Sequence, residues 1–443
     1  MKHNTEAPIV IIGAGLSGLA SARYLKKAGL HVLVLESNTR VGGRVYTDYV
    51  QDFTIDAGGQ FIASFYTHTL DLIHDLNLEE DLVHIPGIAA VLRSGNLYKM
   101  WPDLRVIFTG LISAWSKLLL IKPMFDTLVH WNRLDIHDLQ NASSLDTSSV
   151  AVYTSRFLND EILEYIFQPA LSGIFYWEPE YISLAMLLLM MKVAVGIRLM
   201  TLKHGMGQLP KAMAEGLEIQ FGAEVTQVFP DDSGNYLLQY KQDNKTLEIL
   251  ARGVVCSIPA NLVPGIFPHL TDKQCSFFQA IKYSENAISV IGINNRHLVD
   301  VYGLLFPRRE AKHLAIAAVQ SAKNPEQLPA GQELLVLYPN GSSGSRLIHQ
   351  SDDRIVKILK QELQLAGSTY QFGNDEIFQR VYRWPQALPI YEVGYFQRLN
   401  DFYRGDIESV NLVFSGDYLG GPFIEGAISS GYRAAIRLLT RLI

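Results

Sequence analysis

Residues 9–36 form the stretch that most limits what this chain can fold into. Ile9 to Ile12 (IVII) is an unbroken β-branched run, the pattern of a parallel strand buried on both faces. It runs into Gly13-x-Gly15-x-x-Gly18, after which Ala20, Tyr24 and Ala28 recur at helical spacing, with Lys26 and Lys27 near the end and Gly29 as a stop. His31 to Leu35 (HVLVL) is a second apolar strand that ends on Glu36. Strand, glycine turn, helix, strand and acid, in that order and spacing, make a dinucleotide site. Gly13 permits the tight turn, Gly15 lets the backbone approach a pyrophosphate, and Gly18 lets helix and strand pack closely. Leu16 and Ser17 open the helix, whose free N–H groups and positive dipole end face the phosphates, and Glu36 takes ribose hydroxyls. The expected fold class is α/β (α+β overall), with a Rossmann-like domain and a second, mixed-sheet and helical domain inserted in the chain.

The same opening also has the outline of an export signal: Lys2, an apolar run, then the small residues Ala20-Ser21-Ala22. A signal peptide has no use for Glu36, and cleavage after Ala22 would remove the pyrophosphate site. Two cysteines, Cys256 and Cys275, cannot build a disulfide framework and have no metal-ligand spacing, so a cytoplasmic, reducing location is expected. None of the twelve histidines falls in HExxH or in a Cys/His cluster, and no metal site is expected. A net charge of −6 without a basic run gives no reason to expect nucleic acid. Two apolar stretches, Val106 to Ile121 and Leu184 to Met200, are interrupted by Lys117 and by Lys192 and Arg198. They are expected to be buried or groove-lining helices, with peripheral membrane contact as the alternative.

Beyond Glu36 come Arg40-Val41-Gly42-Gly43-Arg44 and Asp56-Ala57-Gly58-Gly59-Gln60-Phe61. Near the C-terminus, Asn411 to Ser415 (NLVFS) is strand-like and leads through Gly416-Asp417 to GGPFIEGAISSGYRAAIRLL, which becomes helical around Gly426. Together these passages resemble the glutathione-reductase-type flavoproteins, in particular the flavin-containing amine oxidase superfamily, over essentially the whole chain. The resemblance implies FAD. It places Arg40, Gly43 and Arg44 near the pyrophosphate and flavin, and Gly58, Gly59 and Gln60 beside the isoalloxazine. Gly416 and Asp417 fall on the ribityl chain, and the N-terminus of a helix starting near Gly426-Ala427 on the flavin pyrimidine. Residues 205–217 and 223–259 then supply a helix and short strands, and Val225 takes the backbone contact to adenine. Neither cysteine lies where covalently flavinylated members carry theirs, so the FAD is expected to be non-covalent. Residues 1–85, 205–281 and 406–443 are expected to bind FAD, and 86–204 and 282–405 to bind substrate.

Within the superfamily, FQPALSGIFYWEPEYISLAMLL (167–188) and RWPQALPIYEVGY (383–395) are similar to protoporphyrinogen oxidases. Amine-oxidising relatives usually carry a lysine on a central strand. The equivalent strand, 285–294, has Ala287 or Ser289 there, and Lys282 nearby reads as a surface residue. The propionate-gripping arginine of the porphyrinogen branch is also missing: the region reads Ile88-Ala89-Ala90-Val91, with Arg93 out of register, and Tyr176-Trp177 replaces a smaller pair. Gln60, Tyr176, Trp384, Tyr391 and Phe423 are the pocket candidates, and no general base stands out. The expected reaction is hydride transfer from a small organic molecule to flavin N5, with reoxidation by oxygen or another acceptor. Amine oxidation, polyene desaturation and a non-catalytic flavin protein are the alternatives, and the oligomeric state is left open.

Overall fold

The computed structural model describes residues 7–101, 105, 108–294, 301–371, 375–405 and 411–442. Lys2, the start of the Val106–Ile121 stretch and residues 406–410 at an expected domain boundary lie outside the described residues.

Five parallel strands lie side by side in the order Glu218–Phe221, Val32–Glu36, Ile9–Ile12, Gly253–Cys256 and Leu412–Phe414. Ile9 lies opposite both Val32 and Gly253. Successive residues of a strand point to opposite faces, so an apolar run with no polar alternation needs cover on both sides. The structure supplies it. Ile9, Ile11, Val34, Val255 and Val413 pack with the helices Leu16–Lys27 and Ile424–Leu442, while Val10, Ile12, Leu33, Val254 and Phe414 enter a second core. That core also takes Val228 and Leu238 from an antiparallel three-stranded sheet, Glu224–Pro230, Tyr236–Gln242 and Lys245–Ala251.

A seven-stranded sheet runs in the order Glu376–Trp384, Asn286–Ile293, Glu333–Pro339, Leu314–Val319, Gly303–Leu305, Ala89–Arg93 and Asn96–Met100. Its pairs are antiparallel except Gly303–Leu305 with Ala89–Val91. Helix Asp352–Leu363 covers one face through Ile355, Val356, Leu359 and Leu363 against Ala287, Ile291, Leu335 and Leu337. The other face, with Ile288, Val290, Val336 and Tyr338, packs on Phe53, Ile55 and Ala57 from the hairpin Thr47–Val50/Phe53–Asp56. A small sheet joins Leu199–Leu202 to Ile62–Ala63 and Leu82–Ile85, so a strand expected on the substrate side pairs with segments expected on the cofactor side.

The two apolar stretches part company. Helix Leu184–Ala194 buries Ala185 to Leu189 in the core, and Lys192 reaches the rim, where Nζ donates to the carbonyls of Trp131 (3.0 Å) and Leu134 (2.6 Å). The other becomes two short helices, Ala114–Leu119 and Ile121–Val129, which bury only Ser116, Pro123 and Thr127. Within the expected stretch Leu111 and Ile112 are buried, whereas Trp115, Leu118 and Ile121 are exposed, against the expectation of burial, and Phe125, Leu128 and Val129 of the helix that follows are exposed with them. Among the described residues no helix is long and apolar enough to cross a membrane.

Candidate active site

The glycine turn leaves an opening where the sequence calls for one. A Cβ on Gly18 would stand 2.0 Å from the Gly13 carbonyl oxygen, so only glycine permits this strand–helix contact, whereas a Cβ on Gly15 would meet nothing within 4 Å. Helix Leu16–Lys27 starts after Gly15 with no side-chain cap, and the buried Ser17 hydroxyl has no partner among the described residues. Uncapped amides, an orphan hydroxyl and open space together suit a pyrophosphate. Gly42 bridges to Gly15 and donates its N–H to Ala14 O at 2.8 Å, which lays the second glycine pair, with Gly43, alongside the first. Buried Glu36 accepts from Ala14 N at 2.7 Å and from Asn38 N at 2.8 Å, which pins its carboxylate at the strand end. The Ala223 amide donates to Glu36 O at 2.9 Å, bringing Val225 to the same edge.

Arg44 and Asp417, 373 positions apart, bind each other. The guanidinium donates to both carboxylate oxygens, at 2.6 and 2.9 Å, and to Ala387 O at 3.0 Å. Arg40 instead lies 4.2 Å over the Tyr46 ring. The Gly416 amide donates to Ser430 Oγ at 3.0 Å. The closing helix begins at Ile424, within two residues of the expected Gly426-Ala427, and Gly426 in its first turn packs on the 420–421 backbone: a Cβ there would be 2.2 Å from Gly421 O. Ala427 lies in the same turn and donates its amide to Phe423 O at 3.2 Å.

The Asp56–Gln60 loop is tied from both sides. Gly59 N donates to Arg44 O at 3.0 Å, and Trp384 Nε1 donates to Ala57 O at 2.7 Å. Gln60 Nε2 donates to the carbonyls of Asp56 and Gly58. Lys323, fully buried, donates to Asp56 Oδ2 at 2.8 Å and to Gln60 Oε1 at 3.2 Å. Beside this loop Tyr176 and Tyr338 stack at 6.3 Å, in one apolar cluster with Tyr302, Ile316 and Trp384. Tyr176 ends its helix at φ 60°, ψ 34°, a left-handed conformation that costs a non-glycine residue about 1 kcal/mol or more. Burial pushes the hydroxyls of Tyr176, Tyr302 and Tyr338 well above the ordinary phenol range, so all three remain neutral donors. The Tyr338 hydroxyl is buried without a partner among the described residues.

The sequence profile described as Flavin containing amine oxidoreductase matches residues 16–439. The chain belongs to this flavin-containing family. It is a flavin-dependent oxidoreductase of α/β fold, with FAD as its cofactor. It is 23% identical to protoporphyrinogen oxidase 1 of Arabidopsis thaliana over 97% of this chain and 87% of that protein. It is 24% identical to coproporphyrinogen III oxidase of Bacillus subtilis over 98% of each. In fold it matches cyclohexylamine oxidase of Brevibacterium oxydans at a TM-score of 0.78 and 19% identity, covering 98% of this chain and 99% of that one.

The aromatic candidates of this flavoenzyme do not share one environment. Phe423 is half-buried and meets Phe65 at 5.4 Å and Phe175 at 5.9 Å. Tyr391, expected as a pocket wall, is instead wholly buried: its hydroxyl donates to Asp417 O at 2.6 Å and its ring meets Trp177 at 5.7 Å. Its work is to support the Asp417 backbone. Trp177, the larger residue of the pair that replaces a smaller one, is likewise core. Strand pleating puts Ala287 and Ser289 on the face covered by helix Asp352–Leu363, with Ile288 and Val290 toward Ala57, so the positions expected to replace a flavin-side lysine point away from the loop. Arg93 is engaged with Glu161 at 2.6 Å.

Lys323 and Glu425 escape motif reading, yet each carries a signal: Lys323 closes an apolar strand run, and Glu425 is the lone acid in the closing motif. Buried Glu425 caps helix Thr67–Asp75, accepting from His68 N and Thr69 N, both at 2.9 Å, and from Thr69 Oγ1 at 2.6 Å. His68 and His137 bring ring nitrogens within 4.8 Å of it, a grouping that sequence spacing does not reveal. The donors already on the carboxylate account for it as a helix cap.

Proposed function

We propose that this flavoenzyme dehydrogenates a bulky, cyclic organic substrate of the porphyrinogen class, held between the flavin and the tyrosine-bearing face of the seven-stranded sheet. The observation that carries the reading is the broad apolar and aromatic wall beside the cofactor loop, where Tyr176, Tyr302, Tyr338, Ile316 and Trp384 pack in one cluster with Ala57. The near full-length similarity to porphyrinogen oxidases points the same way. On this reading residues 1–85, 205–281 and 406–443 serve FAD and the rest serve the substrate.

Bound FAD, held without a covalent link, supplies a hydride acceptor. The chain supplies the setting. Gly13, Gly15, Leu16, Ser17 and Gly18 bind the pyrophosphate and Glu36 the ribose, while Arg44 orients the Asp417 carboxylate toward the ribityl chain. The N-terminus of Ile424–Leu442 favours negative charge at the pyrimidine end. Gly58, Gly59 and Trp384 border the ring, and Phe175 and Phe423 keep water from it. Oxygen is the acceptor this reading expects, checked by hydrogen peroxide release in air. In the deciding experiment, protoporphyrinogen or coproporphyrinogen added without oxygen bleaches the flavin absorbance. Bleaching by a panel of amines alone overturns the reading.

One observation favours amine oxidation as the second reading. A porphyrinogen carries propionates, but Arg44, Arg93 and Arg308 are each already bound to carboxylates, Arg308 to Glu164 and Glu180 at 2.8 Å. The exposed apolar residues of 114–129 support peripheral contact with a membrane surface. Vesicle co-sedimentation that survives Phe125→Asp with Leu128→Asp would refute that contact.

A further inference from the structure

Lys323 is fully buried, and nothing in the reaction above uses it. It ends the short helix Gln320–Lys323, which directly continues strand Leu314–Val319 of the seven-stranded sheet. Its ammonium crosses to the loop of the parallel-sheet unit. A buried ammonium needs a carboxylate partner, and Asp56 at 2.8 Å provides it. Asp56 is otherwise saturated: Oδ1 accepts from Thr47 Oγ1 at 2.7 Å and from Met206 N at 2.8 Å. Charge compensation is therefore complete without Gln60. Yet Nζ also donates to Gln60 Oε1 at 3.2 Å, and the far end of the same side chain holds the carbonyls of Asp56 and Gly58. The result is a relay from the seven-stranded sheet, through one ammonium and one amide, to the backbone on either side of Ala57.

We propose that Lys323 is a positioning residue: acting through Gln60, it holds the Gly58–Gly59 turn against the flavin, so that the substrate-side sheet sets where the ring lies. The proposal rests on the flavin placement given above. A group that orients a binding element from behind changes ligand affinity by roughly ten- to a hundredfold when removed, as at metal ligands.

The test uses the full-length chain and three variants: Lys323→Met, Asp56→Asn with Lys323→Met, and Gln60→Leu. Bound-FAD dissociation constant, visible absorption envelope, midpoint potential and apoprotein melting are measured on each. The double variant leaves no uncompensated charge and is expected to melt near the parent while binding FAD roughly tenfold more weakly. Its spectrum and potential shift in the same direction as those of Gln60→Leu. If the double variant keeps the parent's FAD affinity, spectrum and potential, Lys323 merely neutralises Asp56 and the proposal falls. If neither lysine variant folds, Gln60→Leu decides, and an unchanged spectrum and potential overturn the relay. A parent that itself binds no FAD defeats the flavin placement instead, and the two failures are thereby distinguished.

Discussion

The parallel five-stranded sheet and the seven-stranded sheet meet at one loop but present different chemistry to it. The first offers mostly backbone: an open glycine, an uncapped helix end, and a carboxylate pinned by an amide. The second offers side chains from five separated segments: Tyr176, Tyr302, Lys323, Tyr338 and Trp384. Backbone geometry tolerates almost no change, because a Cβ on Gly18 would strike Gly13 O and one on Gly15 would fill the space left open for the pyrophosphate. Side-chain chemistry tolerates substitution and changes specificity instead. Binding the constant part of a reaction with backbone, and its variable part with side chains, lets one fold keep a cofactor while its substrates diverge.

The sharpest way to break this contrast is Gly18→Ala. With 2.0 Å between the new Cβ and Gly13 O, the turn must open. We expect roughly 3 kcal/mol of destabilisation and protein purified without flavin colour; a yellow, stable variant would refute the backbone account. Asp417→Ala comes next. It strands Arg44, which is about one-third exposed, so the cost is about 2 kcal/mol, below that of breaking a fully buried pair, and FAD is retained more weakly. Thermal melting with and without added FAD separates the two effects.

On the other sheet, Tyr338→Phe removes a buried hydroxyl that has no partner among the described residues, so the variant gains up to about 1 kcal/mol and keeps its FAD. If the hydroxyl serves substrate, KM rises although stability does not fall. The smallest effect is confined to acid. Burial tends to raise the Glu161 carboxyl, but hydrogen bonds from Ser116, Ser113 and Arg93 outweigh it and lower its pKa to about 2 from 4.5. A depressed carboxyl adds stability above 4.5 that is lost as pH falls toward 2. Glu161→Gln therefore flattens that part of the pH–stability curve, and unfolding followed from pH 5 to pH 2 checks it.

What could be read from residues alone follows the same division. Ile9–Ile12, the three glycines and Glu36 obey local rules of period, φ and capping, and the structure returns them as strand, turn, helix and strand end. The closing helix starts at Ile424, close to the expected Gly426-Ala427, but that Gly426 is there to let two backbones touch depends on Gly421 in the preceding loop. Tyr391 looked like a pocket wall because aromatic residues suit walls and cores equally. Its hydroxyl decides the matter by finding Asp417 O. Of two apolar stretches of similar composition, one becomes a buried helix and the other buries Leu111 and Ile112 but turns Trp115, Leu118 and Ile121 outward, since burial depends on which surfaces arrive around them.

By itself, then, the sequence determined that this chain would bind a dinucleotide and that the fold would be α/β, and its resemblance to a flavoprotein family implied that the dinucleotide is FAD. Each depends on residues close together in the chain or on motifs whose geometry is carried by glycine and by helix ends. Only the tertiary structure decided that Arg44 would grip Asp417, that Lys323 would reach Asp56 and Gln60, and that the expected lysine positions would face away from the cofactor loop. Those outcomes join residues hundreds of positions apart. They are settled by which sheet face is buried, and no local period or spacing encodes that choice.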